Sequence, residues 1–296
     1  MGSDIGRLPE WLRRRSVKWG GLHPMKKILR ERGLNTVCES ARCPNIGECF
    51  SKPTATFMIM GGVCTRGCGF CNIDKDITPG AVDPAEAENI ALTVMEMGLK
   101  HVVITSVTRD DLPDGGASHF ALTIQAVRDS ISPLLIEVLT PDFGGNMSAL
   151  ATVLDAGPDI FNHNVETVPS LYRSVRPEAE YATSLDILKR AGEWEVTTKS
   201  GIMVGLGEEQ GEVVEVMEDL RRAGCDAITI GQYLRPNRDA LPVREYVRPE
   251  TFKEYEEMGR AMGFPHVYSG PFVRSSYNAA EQISGFARQS GAVRSG

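Results

Sequence analysis

Apolar and polar positions alternate in blocks from about residue 54 to residue 262. Short, nearly continuous apolar runs recur, as is typical of parallel strands covered on both faces. Between them, stripes such as Ile90, Val94 and Met97 follow helical spacing. This alternation predicts a parallel sheet with right-handed crossovers. The strand candidates are Thr54–Val63, His101–Ser106, Leu134–Thr140, Ile160–Glu166, Thr198–Gly205 and Ala227–Leu234.

Six βα units predict an α/β fold that is a partial (β/α)6 TIM-type barrel rather than a closed barrel of eight units. In such barrels the chemistry lies at the C-terminal ends of the strands. The first fifty residues lack the alternation, and Pro265, Gly270 and Pro271 interrupt the last part. We therefore divide the chain into an N-terminal extension (1–53), the partial barrel (54–262) and a C-terminal extension (263–296) that ends in a flexible tail.

Composition and charge narrow the functional classes. The chain has 296 residues and a formal net charge of −7, which argues against a general nucleic-acid binder. No run of about 18 apolar residues predicts a membrane span, and the N-terminus lacks a signal-type run, so we expect a cytoplasmic protein. Lysines and arginines crowd the first 32 residues. They form either a solvated basic face or a dock for an acidic protein.

Clustered cysteines are the strongest chemical signal, because six of the seven lie between Cys38 and Cys71. In a chain that is neither small nor visibly secreted, such a cluster indicates metal. Cys64, Cys68 and Cys71 have the spacing C-x3-C-x2-C directly after the first strand candidate. A 4Fe–4S cluster normally takes four thiolates, so three leave one iron open. A zinc knuckle completed by a distant histidine is the alternative, but closed zinc sites usually pair C-x2-C half-sites.

A second cysteine motif lies in the N-terminal extension. Cys38, Cys43 and Cys49 have the spacing C-x4-C-x5-C, and Pro44 and Gly47 favour a wrapping loop. These three thiolates imply another cluster that lacks a fourth cysteine. The seventh cysteine, Cys225, starts a buried-looking strand, and a lone buried cysteine is usually a small hydrophobic residue.

The first motif resembles the signature of the radical S-adenosylmethionine (SAM) superfamily. Both motifs together, with three further stretches, resemble lipoyl synthases from about Leu22 to Tyr277; the stretches are Asp110–Gly116, His163–Thr167 and Arg274–Tyr277. The resemblance implies a radical SAM partial barrel, SAM and two 4Fe–4S clusters. One cluster would cleave SAM to a 5′-deoxyadenosyl radical. The other would be consumed as the sulfur source of a sulfurtransferase.

The same resemblance implies substrate and partners. The substrate would be an octanoyl group, attacked at C6 and C8, on a lysine of a lipoyl carrier domain such as a 2-oxoacid dehydrogenase E2 subunit or the glycine cleavage H protein. An electron donor such as flavodoxin or ferredoxin and an iron–sulfur carrier protein would also be needed. Two alternatives stay open: a radical SAM sulfur-transfer enzyme with a free small-molecule substrate, and a structural metalloprotein or electron carrier.

Site residues follow partly from the resemblance and partly from position. The resemblance makes Ser276 the fourth ligand of the second cluster, so the catalytic set is Cys38, Cys43, Cys49 and Ser276. Strand-end residues are candidate SAM contacts, with packing, polar pairing inside the barrel or turn chemistry as the alternative. These candidates are Phe70, Arg109, Asn164, Glu166, Gln232, Tyr233 and Arg235. The glycine-rich stretch Gly201–Glu208 predicts either an adenine-lining segment or a tight strand–helix turn.

Overall fold

A computed structural model describes residues 7–13, 22–49, 56–132 and 134–276. Its main sheet has eight strands in the order β1-β2-β5-β6-β7-β8-β9-β10, and β3 and β4 form a separate two-stranded pair. The strands are β1 Asn35–Thr36, β2 Thr56–Ile59, β3 Val63–Cys64, β4 Asp74–Lys75, β5 His101–Ser106, β6 Leu135–Leu139, β7 Ile160–Asn162, β8 Thr197–Val204, β9 Ala227–Gln232 and β10 His266–Gly270.

Helices alternate with the strands from β2 onward. They are α1 Leu22–Glu31, α2 Val37–Ser40, α3 Ile46–Cys49, α4 Glu86–Met97, α5 Ala117–Ser130, α6 Met147–Asp155, α7 Tyr172–Val175, α8 Tyr181–Ala191, α9 Gln210–Arg222 and α10 Pro249–Ala261. Local chemistry sets several of their ends. Gly98 ends α4 in the left-handed conformation, and a capping box between Glu209 and Glu212 begins α9.

The predicted partial barrel is confirmed. All six strand candidates contain a strand, and the strands pair in parallel from β2 through β9. The sheet runs from β1 at one edge to β10 at the other and does not close. Both edge strands lie outside the six strand candidates: β1 pairs antiparallel with β2, and β10 pairs parallel with β9. β10 lies between Pro265 and Pro271, which hid its strand character.

Register places a layer of polar side chains inside the barrel. Leu139, Asn162 and Lys199 are successive partners across β6, β7 and β8. Partners in register share a face of the sheet, so these side chains and those two residues away line the interior. The outer face packs against the helices in two apolar clusters. Cys225 is buried in one of them, as predicted, before β9 and therefore at the barrel end opposite the cysteine motifs.

Candidate active site

The first cysteine triplet lies in the loop that follows β2, at the C-terminal edge of the parallel sheet. Backbone N–H groups point at its sulfurs. Cys64 Sγ accepts from the N–H groups of Arg66 at 3.5 Å and Thr108 at 3.4 Å, and Cys71 Sγ accepts from Ile73 at 3.5 Å. The Ile73 N–H lowers the pKa of Cys71, but burial raises that pKa by more, so the loop by itself favours the thiol.

Arg66 fastens this loop to the sheet. Its side chain is 7% exposed and makes a two-pronged contact with Asp110, with both bonds at 2.8 Å, while Nη1 donates to Asp142 at 2.8 Å. Burial alone would raise the pKa of Asp142, but Arg66 holds that pKa below its ordinary value. Sequence reasoning did not single out Arg66, because an arginine between two cysteines carries no spacing signal of its own.

Cys38 and Cys49 of the second triplet lie on two single-turn helices beside the strand edge, and Cys43 lies in the turn between them. Thr36 caps α2 by accepting the Glu39 N–H at 3.4 Å. Cys38 and Cys49 are buried and Cys43 is half-buried. Hydrogen bonds with distant segments hold this region in place: Asn72 donates to the Ser40 carbonyl at 2.7 Å, and Arg42 donates to the Pro236 carbonyl at 3.4 Å.

A single cavity of about 390 Å³ brings both regions together. Its wall includes Cys71 of the first triplet, all three cysteines of the second, and Ser276. Apolar side chains from five separate segments line much of the rest: Val37, Ile73, Ile202, Met203, Leu234 and Val273. A second cavity of about 420 Å³ shares four lining residues with the first, namely Arg42, Cys71, Asn72 and Ile73.

Five of the seven candidate SAM contacts lie on this cavity: Phe70, Asn164, Glu166, Tyr233 and Arg235. Two do not. Arg109 is buried against Asp111, with bonds of 2.7 and 2.8 Å to its carboxylate. Gln232 is fully buried; its amide donates to carbonyls including that of Glu245, and its oxygen accepts the Val247 N–H. Both side chains are engaged in holding turns, which is the alternative interpretation for strand-end polar residues.

Glu166 and Asn164 form a buried polar edge of the cavity. Asn164 Nδ2 donates to Glu166 Oε1 at 3.0 Å, and Glu166 has a φ of 67°, a left-handed conformation that costs energy in a non-glycine residue. Burial raises the pKa of Glu166, opposed by Arg176. Arg176 donates to the carbonyls of Asn164 and Val165 and so holds the strained turn. Arg176 lies ten residues downstream of Glu166, outside every motif, and sequence reasoning missed it.

The C-terminal arm (residues 271–276) reaches this cavity from β10. Asn45, between two cysteines of the second triplet, donates to the Phe272 carbonyl at 2.8 Å. Gly231 and Gly201 make room for the arm: a Cβ on Gly231 would lie 2.2 Å from the Val273 oxygen, and one on Gly201 would lie 3.0 Å from Ser275 Oγ. The other glycines of the stretch from Gly201 form a turn, since Glu208 accepts the N–H groups of residues 205–207.

Two observations fit these residues to iron–sulfur clusters. Burial raises the pKa of Cys38 to about 12 and that of Cys68 to about 11, so a bound cation is needed to turn these thiols into thiolates at neutral pH. Within the described residues, no group of three or more His, Cys, Asp or Glu side chains is arranged to hold a single metal ion. A four-iron cluster binds each thiolate at a different iron, so its ligands need not converge on a single ion.

Comparison with known proteins agrees with this geometry. A family model described as the radical SAM superfamily matches residues 58–220. A lipoyl synthase of Caldanaerobacter subterraneus subsp. tengcongensis is 56% identical over 280 residues, covering 94% of this chain and 98% of that protein. One of Alkaliphilus metalliredigens is 53% identical over 282 residues, covering 95% and 97%. This chain belongs to the lipoyl synthase family.

Solved structures show the same fold as this lipoyl synthase family member. Methylornithine synthase matches with a TM-score of 0.53 at 15% identity, over 72% of this chain and 70% of that one. Membership of the radical SAM superfamily and of the lipoyl synthase family brings SAM and two 4Fe–4S clusters as cofactors. In the described residues, no helix is both long enough and apolar enough to cross a membrane. Of the basic N-terminal segment, Arg14, Arg15 and Lys18 lie outside the described residues.

Proposed function

We propose that this chain inserts two sulfur atoms, at C6 and C8, into an octanoyl group carried on a lysine of a lipoyl domain, and that the second cysteine triplet holds the cluster that supplies the sulfur. The observation that carries the proposal is the shared cavity, whose wall contains cysteines of both triplets. Sulfur insertion requires that a C–H bond be broken close to a sulfur donor, and one cavity meets that requirement.

Each triplet has its own task in this proposal. Cys64, Cys68 and Cys71 hold one cluster and leave an iron for SAM; Cys38, Cys43 and Cys49 hold the other. When bound, the first cluster supplies the electron that cleaves SAM, and the second supplies sulfide. Residues of the chain position these groups and exclude water, which is the role that proteins play in cofactor chemistry.

The polar part of the cavity suits SAM, and the apolar part suits the octanoyl chain. The edge formed by Asn164 and Glu166 offers amide and carboxylate groups to the amino acid or ribose part of SAM. Phe70, Tyr233 and Arg235 line the same cavity and complete the proposed SAM contacts. Arg109 and Gln232 take the supporting role described above. The apolar wall from Val37 to Val273 suits an octanoyl chain, whose burial contributes about 0.8 kcal/mol per methylene.

Ser276 is the proposed fourth ligand of the second cluster. It lines the cavity with the three cysteines, whereas Cys225 is buried at the opposite end of the barrel. Oxygen is a harder ligand than thiolate for an iron that prefers sulfur, so it is held more weakly. A cluster that must release sulfide opens more easily if one of its irons has a weakly held protein ligand.

Partners and organisation complete the proposal. The substrates are octanoylated lipoyl domains, of E2 subunits and of the glycine cleavage H protein. Flavodoxin or ferredoxin delivers electrons, and an iron–sulfur carrier rebuilds the second cluster in the cytoplasm. The cysteine-bearing extension (1–53) and the C-terminal extension (263–296) flank the barrel (54–262), and β10 of the latter continues the sheet.

An anaerobic assay with an octanoylated lipoyl domain, SAM and a reductant tests the proposal. Mass spectrometry of the domain should show the gain of two sulfur atoms, and chromatography should show two deoxyadenosines formed per lipoyl group. An octanoylated domain that stays unchanged while SAM is cleaved would contradict the substrate. Faster sulfur insertion into free octanoate or another small molecule than into the domain would favour the alternative, a radical SAM sulfur-transfer enzyme with a free small-molecule substrate.

A further inference from the structure

A buried ion pair crosses the interior of the barrel directly beneath the C-terminal arm. Lys199 on β8 and Glu137 on β6 each have side chains that are 1% exposed, and Nζ lies 3.0 Å from Oε1. Asn162, on the strand between them, donates to the same oxygen at 3.0 Å. His101 Nε2 lies 3.4 Å from Oε2, a contact that does not meet the geometry of a hydrogen bond.

Such a pair contributes little to folding by itself. Removing both charges from water costs about as much as their attraction returns, and apolar replacements of similar volume are often as stable. Burial raises the pKa of Glu137, but Lys199, with His101 and Asn162, holds that pKa well below its ordinary value. Glu137 is therefore held in its carboxylate form. An ion pair at this position calls for an explanation other than barrel stability.

The side-chain nitrogen of Lys199 has a second hydrogen-bond acceptor, and this contact explains why the ion pair is there. Nζ donates to the Ser275 backbone carbonyl at 2.6 Å. The hydroxyl of Ser275 donates to Asn164 Oδ1 at 2.9 Å. The carbonyl of Ser275 is thus fixed to β8 and its hydroxyl to the segment that follows β7, one residue before the proposed cluster ligand Ser276. Gly201, two residues after Lys199 on the same face, leaves the space that the Ser275 side chain enters.

We propose that Lys199 is a positioning residue, oriented by Glu137, which holds the C-terminal arm so that Ser276 faces the second cysteine triplet. Glu137 fixes the ammonium and balances its charge, and the ammonium then bonds the Ser275 carbonyl. The arm is joined to the barrel on one side by this bond and to the second triplet on the other by Asn45. The part concerning Ser276 rests on the proposed function; the anchoring of the arm does not.

Three variants of the full, cluster-loaded chain test the proposal. Lys199→Met keeps the length of the side chain and removes the donor. Because it leaves Glu137 charged and buried, Lys199→Met/Glu137→Gln is made beside it, which is neutral and still lacks the donor. Lys189→Met, on the exposed last turn of α8, is the matched control. Hydrogen–deuterium exchange of residues 271–276 reports on the arm without reference to activity.

If Lys199 positions the arm, both Lys199 variants should exchange the amides of residues 272–276 about tenfold faster than the control, the factor expected for loss of a hydrogen bond from a charged group. The Mössbauer signature of the second cluster should change, while that of the first should not. Sulfur inserted per deoxyadenosine formed should fall about tenfold, since a misplaced ligand costs that order.

Two results would overturn the proposal. In the first, the neutral double variant exchanges the arm at the rate of the control and keeps its cluster spectrum, which would show that the pair only balances charge. In the second, the double variant fails to fold, which would show that the pair holds the barrel itself. If the arm loosens as expected but no variant or parent inserts sulfur, the anchoring stands and the proposed function is what fails.

Discussion

The two cysteine triplets are built in different ways. The first lies within eight residues of one loop, which the sheet supports directly: Arg66 joins it to Asp110 and Asp142, and backbone N–H groups reach its sulfurs. The second lies on two short helices and the turn between them, and its site is completed by residues that come more than two hundred positions later in the chain. The ligands of the first site therefore come from one loop that neighbouring strand–helix connections hold, whereas the wall of the second site comes from both ends of the chain.

The difference suits the two tasks. A cluster that must survive many electron transfers needs ligands that the fold holds rigidly. A cluster that gives up sulfide must be opened and rebuilt, and a site assembled from two ends of the chain can open at the contacts between them. Elements with few local ties are those that open at low free-energy cost.

Breaking the first site should produce the largest effect. We expect Cys68→Ala to abolish deoxyadenosine formation, because the cluster that delivers the electron loses one of its three protein ligands. Chromatography of anaerobic reactions that contain SAM and dithionite measures this. Cys225→Ala serves as the control for loss of a cysteine, since that thiol is buried in the apolar core. Undiminished SAM cleavage in Cys68→Ala would remove the basis for assigning the first site.

A change in the second site should abolish sulfur insertion and leave SAM cleavage intact. Cys43→Ala should still form deoxyadenosine, because the first loop keeps all its ligands, and should insert no sulfur. Iron analysis should show that the variant retains about half the iron of the parent chain. Mass spectrometry of the octanoylated domain gives the second readout. If sulfur appears in the product of this variant, the donor is not the cluster held by Cys38, Cys43 and Cys49.

A subtler change should slow only the release of sulfur. Ser276→Cys replaces an oxygen ligand by a thiolate, which iron retains more firmly. We expect a cluster that assembles fully, with sulfur insertion reduced by about an order of magnitude, the lower range for a change at an active-site metal. Single-turnover kinetics measure this. Wild-type rates in Ser276→Cys would count against a weakly held ligand at Ser276.

The smallest effect should come from the link between the two ends of the second site. Asn45→Ala removes the bond to the Phe272 carbonyl and also a buried side-chain oxygen that lacks a hydrogen-bond partner, so the net cost should be about 1 kcal/mol. That corresponds to roughly fivefold faster loss of iron from the second cluster to a chelator. Asn89→Ala, which breaks an amide-to-carbonyl bond of 3.4 Å to Arg32 elsewhere, is the control. Equal iron loss in both variants would show that this link does not hold the second site together.

Sequence patterns predicted the parts of this molecule that are local in the chain. Continuous apolar runs gave the six buried strands, because a strand covered on both faces consists mostly of apolar residues. The cysteine spacings gave both triplets, because cluster ligands lie within a few residues of one another. The edge strands β1 and β10 were not predicted, because the first has only two residues and the second is flanked by prolines.

Contacts between distant residues were beyond the same reasoning. Gln232 stands at a strand end and has suitable chemistry, yet its amide donates to the Glu245 carbonyl, a partner that only the fold reveals. The partner of Arg109, Asp111, is near in the chain, but the sequence did not show that the side chain turns to it and away from the cavity. Lys199 appears in the sequence as a charge inside an apolar strand. Its pairing with Glu137, 62 residues away, and with the arm follows from strand register, which no periodicity reveals.

The origin of the inserted sulfur is the most direct test of whether the second cluster is the sulfur donor. The chain can be reconstituted with ³⁴S-sulfide so that both clusters are labelled, then given an octanoylated lipoyl domain, SAM and reductant without further sulfide. The account predicts a product that carries two ³⁴S atoms, no more than one such product per chain, and loss of the second cluster's spectrum while the first cluster's remains. Repeated turnover under these conditions, or a product with sulfur of natural abundance, would contradict it.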